Sequence, residues 1–119
     1  PLNSLVDHGG YLLDKTDPAV DIIRKINSPN LKMLYDVYHM QIMQGNIIDF
    51  IEKNMDIIGH FHAAGVPGRA ELFGTEVNYP AVVKKIDQLG YNEYFGLEYF
   101  PKISDHNESL KQVRQYLLG

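Results

Sequence analysis

The strongest constraint on this chain is an alternation of two hydrophobic periods. "TDPAVDIIRKIN" (16–27) places Val20, Ile23 and Ile26 at helical spacing, with Thr16 or Asp17 as a cap and Pro18 in the first turn. "LKMLYDVY" (31–38) is an apolar run of strand type. "GNIIDFIEKNMD" (45–56) returns to helical spacing through Ile47, Ile48, Ile51 and Met55, and "IIGHFHAAG" (57–65) is a second strand closed by glycine. "NYPAVVKKIDQLG" (78–90) predicts a third helix, with Asn78 as cap, Pro80 in the first turn, Val82, Val83, Ile86 and Leu89 as its stripe, and Gly90 as its stop. "EYFGLEYF" (93–100) predicts a third strand, and "HNESLKQVRQYLLG" (106–119) a last helix with Leu110, Val113 and Leu117 facing inward.

The order is therefore α-β-α-β-α-β-α, an α/β chain with about three strands and four helices. Strands separated by single helices need crossover connections, so the sheet is parallel and covered by helices. A doubly wound open sheet and part of a (β/α)8 barrel both satisfy this order. A whole barrel takes eight units and roughly 250 residues, and the 119 residues here supply about half of that. No linker or low-complexity tract interrupts residues 1–119, which read as one partial domain.

Charge and composition narrow the partners. The net charge is −4, which disfavours nucleic acid and acidic membrane surfaces, since both select a basic face. The absence of cysteine removes disulfide and thiolate chemistry. No apolar run approaches the ~18–20 residues of a membrane span. A soluble, cytoplasmic protein acting on a small molecule is the expectation.

Three candidate ligands fall at one place in this topology. Asp36, His62 and Glu98 each stand near the C-terminal end of a predicted strand, the edge where parallel α/β proteins bind ligands. His60, two before His62, shares its face. Taken singly, Asp36 reads as a cap or turn residue, His60 and His62 as core histidines, and Glu98 as a surface acid. Taken jointly they form an oxygen/nitrogen set suited to Mn²⁺, Mg²⁺, Co²⁺ or Zn²⁺. His39 follows Asp36 by three and is expected past the strand, in a loop over the mouth. The Gly/Pro-rich stretch "GVPGRAELFGTE" (65–76) offers Arg69 and Glu71 as substrate contacts. His8 and His106 sit in polar, loop-like contexts and receive no role.

The pieces "YDVYHMQIMQGNI", "IGHFHAAGVPGR", "EVNYPAVVKKIDQLGY" and "FGLEYFP" together resemble one family over nearly the whole chain. It is the xylose isomerase-like barrels, specifically the hydroxypyruvate isomerase and ketose 3-epimerase group. The resemblance implies the C-terminal half of a (β/α)8 barrel. It also implies a divalent metal held by Asp36, His62 and Glu98, with Glu98 as an acid/base and His39 and Arg69 as substrate contacts. The implied reaction is isomerisation or epimerisation of a sugar or hydroxy-oxo acid by proton transfer through a cis-enediolate. In this family a first metal-binding Glu stands just before "PLN", where the present sequence opens. The chain alone is thus expected to bind metal weakly, to show little activity, and to pair with a second copy or an N-terminal half. The half-barrel is further expected to expose apolar strand faces. Two other readings compete with it: a non-catalytic barrel fragment, and a metal-dependent phosphodiesterase like endonuclease IV. The latter needs an Asp-x-His pair after the single His, and "FGTEVN" has none.

Overall fold

The computed structural model describes all 119 residues. The elements are α1 (Thr16–Ile26), β1 (Met33–Asp36), α2 (Val37–Met43), α3 (Ile47–Asn54), a 3-10 turn (Met55–Ile57), β2 (Ile58–Ala63), α4 (Tyr79–Gln88), β3 (Phe95–Leu97) and α5 (His106–Leu118). The strands form one parallel sheet in the order β1-β2-β3. The alternation of elements is as expected, and the chain spans 44 × 34 × 23 Å.

Register defines two unlike faces. Asp36 pairs with His62, which pairs with Gly96, and Leu34 pairs with His60. The opposite face carries Tyr35, Phe61, Ala63, Phe95 and Leu97. On that side Tyr35 stacks on Phe50 of α3 at 4.8 Å between ring centroids, and Phe61 meets Tyr91 edge-on at 5.0 Å. Phe61 is fully buried, a contribution of ~1.5–3 kcal/mol for a side chain of this kind. Tyr79 latches the end of β2: its hydroxyl donates to the Ala64 carbonyl at 2.7 Å and accepts from the Ala64 N–H at 3.1 Å.

Several boundaries differ from expectation, each for a local reason. The predicted strand 31–38 stops at Asp36, and a fifth helix, α2, begins at once. The Asp36 side chain accepts from the His39 N–H at 3.1 Å and caps that helix. An extended chain would send Val37 and Tyr38 to opposite faces, whereas the helix buries Val37, Tyr38, His39 and Met40 together. His39 is therefore in a helix and not in a loop. Helix α1 has Lys15 at its cap position with no side-chain cap bond, so neither Thr16 nor Asp17 plays that part. Asn78 does cap α4, accepting from Ala81 N–H at 3.2 Å. In α5, Val113 is buried as expected, but Leu110 is exposed and Ser109 is buried in its place. Of the apolar strand faces expected to lie open, that of β3 does so in part: Phe95 and Leu97 are half-buried and line a groove with Tyr91, Leu110 and Leu117. The face that carries Asp36 holds His60, His62, Gly96 and Leu34.

Candidate metal centre

The topology delivers Asp36, His62 and Glu98 to one point. Asp36 ends β1, His62 lies beside it near the end of β2, and Glu98 follows β3, with its N–H bonded to the Ala63 carbonyl at 3.0 Å. His62 Nδ1 faces both acids, 3.7 Å from Asp36 Oδ2 and 3.3 Å from Glu98 Oε2. One ligand atom from each of the three lies within 4.8 Å of the others. Adjacent ligands of an ion bound at ~2.0–2.2 Å stand about 3.0–3.5 Å apart, so these residues fit a small divalent cation with minor contraction.

Gly96 makes room for this arrangement. A Cβ there would stand 2.9 Å from His62 Cδ2 and 3.0 Å from His60 Nε2, so only glycine lets the two imidazoles lie across β3. The rings of His60 and His62 are 5.0 Å apart and nearly perpendicular.

Electrostatics mark Asp36 as a strained acid. Burial raises its pKa, opposed by the His39 N–H bond and by the nearby His39 and His62 rings, while Glu98 adds to the rise. Burial likewise lowers the pKa of His39, with Asp36 pulling the other way. His39 Nδ1 lies 2.9 Å from Ser4 Oγ, and Ser4 donates in turn to Asp7 Oδ2 at 3.3 Å. On the other side of the ring, His39 Nε2 lies 3.9 Å from Asp36 Oδ2.

Arg69 joins the site from the loop after β2. It donates to Glu98 Oε2 at 3.0 Å, lies 3.8 Å from Asp7, and places its guanidinium over the rings of Tyr38 (5.2 Å) and Phe100 (5.8 Å). Its Nε is buried without a partner, and its φ of 56° is a left-handed backbone conformation that a non-glycine residue adopts only when its surroundings hold it. Tyr38 itself is pushed up to about 12 by burial and by its bond to Asp7.

Glu71 corrects an expectation. Its carboxylate does not join the cluster: Oε1 accepts from the N–H groups of Lys102 and Ile103 at 3.0 Å and from Ser109 Oγ at 2.9 Å, and Oε2 from Lys102 N–H at 3.1 Å. Burial opposes its ionisation, yet these donors hold its pKa down at about 2. Three donors of the protein hold this carboxylate in place, and none of its contacts is to Asp36, His62 or Glu98. Ser4, Asp7 and His8 were missed by sequence reasoning. They arrive through the turn before α1, with His8 packed edge-on against His39 at 5.8 Å, and no periodicity or spacing signals that contact.

Fold and site together define a parallel β/α unit with a carboxylate–imidazole–carboxylate cluster at the C-terminal edge of its sheet. The model of the xylose isomerase-like TIM barrel family matches residues 3–117, and the chain belongs to that family. It is 37% identical over 102 residues to 2-oxo-tetronate isomerase of Cupriavidus necator, covering 86% of this chain and 39% of that protein. It is likewise 37% identical over 102 residues to hydroxypyruvate isomerase of Escherichia coli, again covering 86% of this chain and 39% of the relative. A crystal structure described as AP endonuclease, family 2, from Brucella melitensis superposes with a TM-score of 0.88 at 33% identity, covering 98% of this chain and 44% of that one. The chain thus spans about two fifths of the length of the proteins it matches.

Proposed function

We propose that this chain forms part of an isomerase or epimerase for a small sugar or hydroxy-oxo acid, of the kind that hydroxypyruvate or a 2-oxo-tetronate represents. The observation that carries this is the convergence of Asp36, His62 and Glu98 from three adjacent parallel strand ends. Names of relatives at 37% identity support the substrate class.

In this reading Asp36, His62 Nδ1 and Glu98 hold a divalent ion, Mn²⁺, Mg²⁺, Co²⁺ or Zn²⁺. The ion would supply polarisation of the substrate carbonyl and acidify the neighbouring C–H. Glu98 is the more exposed acid of the pair and exchanges the proton with that carbon. Asp36, committed to the α2 cap, stays in place. Arg69 turns its guanidinium from Glu98 toward substrate oxygens, and neutral His39 hydrogen-bonds a substrate hydroxyl through Nε2. A second acid/base returning the proton to the adjacent carbon gives isomerisation, and to the opposite face of the same carbon, epimerisation. We assign that group to a partner element, a barrel half or second copy, that pairs with the free edges of β1 and β3.

The test is solvent-deuterium incorporation into hydroxypyruvate or a 2-oxo-tetronate in the presence of Mn²⁺, followed by NMR. Glu98→Gln is expected to lose exchange by about 100-fold or more. Equal exchange in both proteins removes Glu98 from the chemistry, and failure to bind Mn²⁺ at millimolar concentration removes the metal. The phosphodiesterase alternative draws support only from the description of the Brucella structure.

A further inference from the structure

We infer that Glu71 is a positioning residue for Glu98, acting through a buried hydrogen-bond relay that runs Glu71–Ser109–Tyr99. This rests on the metal-site reading above, because it concerns how the most exposed of the three ligands is held.

Glu98 needs such support. The Ala63 carbonyl holds its backbone N–H, but its side chain is 52% exposed, so packing does not fix the carboxylate. The residue after it does have an anchor. Tyr99 Oη and Ser109 Oγ are 2.8 Å apart, and Ser109 Oγ is 2.9 Å from Glu71 Oε1. Glu71 is ionised, so it only accepts, and the single Ser109 proton is directed to it. The Tyr99 hydroxyl must then donate to Ser109, and the three groups form a relay with one direction. Ser109 is fully buried and Glu71 is 6% exposed, so the Glu71–Ser109 end of the relay is screened from water, while Tyr99 is half-buried.

The same carboxylate also gathers the chain beyond Glu98. Through Lys102 and Ile103 N–H it ties the segment after β3 to the loop carrying Arg69, two residues earlier in sequence. Phe100 N–H donates to the Arg69 carbonyl at 2.8 Å, closing the two segments on one another. Residues 98–103 are thus stitched along their length to residues 69–71 and to the first turn of α5. Glu98 and Arg69, whose side chains meet at 3.0 Å, are the two ends that this stitching brings together. A buried acid with four accepted contacts, none reaching the cluster, is what a support for a ligand-bearing loop requires.

The experiment compares the wild type with Tyr99→Phe, Ser109→Ala, the double variant and Glu71→Gln, and uses Val82→Ala, a buried position of α4 that takes no part in the relay, as a control for lost stability. Two readouts are taken: exchange of the Arg69 Nε–H by NMR without metal, and Mn²⁺ affinity by calorimetry. Tyr99→Phe and Ser109→Ala are each expected to speed Arg69 Nε–H exchange about 10-fold and to weaken Mn²⁺ binding about 10-fold. The double variant is expected to lose no more than either single one, as members of one relay do. Val82→Ala, at a similar loss of Tm, is expected to leave both readouts unchanged. If Glu71→Gln does not fold, the two hydroxyl variants decide. Wild-type exchange and affinity in those variants, or additive losses in the double, overturn the relay. If the wild type binds no Mn²⁺, the metal reading fails by itself, and the Arg69 exchange still decides the relay.

Discussion

A single methyl group placed at Gly96 should disable the cluster while leaving its three ligands in the sequence. In Gly96→Ala the new Cβ meets His62 Cδ2 at 2.9 Å, His60 Nε2 at 3.0 Å and the Phe61 carbonyl oxygen at 3.1 Å. Ordinary contacts lie near 3.5–4.0 Å, so about 0.5–1 Å must be recovered. The Phe61 carbonyl belongs to the sheet backbone, and the relief falls on the two imidazoles or on β3 itself. Ligand distances in a metal site tolerate only about 0.2 Å. Mn²⁺ affinity should therefore fall by about 10–100-fold, and overpacking should cost ~1–3 kcal/mol of stability. Gly59→Ala is the matched control. Its Cβ would meet Lys32 Cβ at 2.7 Å, a clash of the same class on the same sheet, with no contact to His62. Thermal melts should show both variants destabilised, while calorimetry with Mn²⁺ should show only Gly96→Ala impaired. Unchanged affinity in Gly96→Ala, or an equal loss in Gly59→Ala, would refute the reasoning.

Other expectations follow from the same geometry. Asp36→Asn keeps an oxygen for the α2 cap but removes a charge that burial disfavours, so metal-free Tm should hold or rise while Mn²⁺ binding falls at least 10-fold. Asp36→Ala should lose the binding and ~1 kcal/mol of stability as well, because the cap goes with it. Arg69→Gln frees Glu98 from a competing cation at 3.0 Å. Half-exposed pairs of this kind are worth ~0.2–1 kcal/mol, so Mn²⁺ affinity should rise by up to about fivefold in calorimetry. Glu71 has a pKa depressed from 4.5 to about 2, so its stabilisation is complete above pH 4.5 and is lost as pH falls toward 2. Urea melts across that range should show stability declining by up to ~1.4 kcal/mol per pH unit, with a flatter profile in Glu71→Gln.

The element order, the parallel sheet and the approach of Asp36, His62 and Glu98 were legible because each rests on short-range pattern plus one rule of connection. Asn78 and Pro80 marked the start of α4 through chemistry confined to one turn. Helix α2 was hidden because its cap, Asp36, is also the last strand residue. The interval of three between Asp36 and His39, which fits a strand poorly, is the spacing from a cap to the N–H that it accepts. Glu71 could not be assigned from sequence, since its partners Lys102, Ile103 and Ser109 lie more than 30 residues away. The same is true of Ser4 and Asp7 beside His39.

The sheet's two free edges are not equivalent. β1 presents one side of its backbone and β3 the other, and all three strands point the same way. Anything that joins the β3 edge in parallel presents a β1-like edge of its own. Growth is therefore directional, and in the barrel family to which the chain belongs eight such strands close on their starting point. A unit of this kind carries the instruction for a closed ring in its two unlike ends, and the acids and imidazoles on its open face are the ones that the ring would enclose.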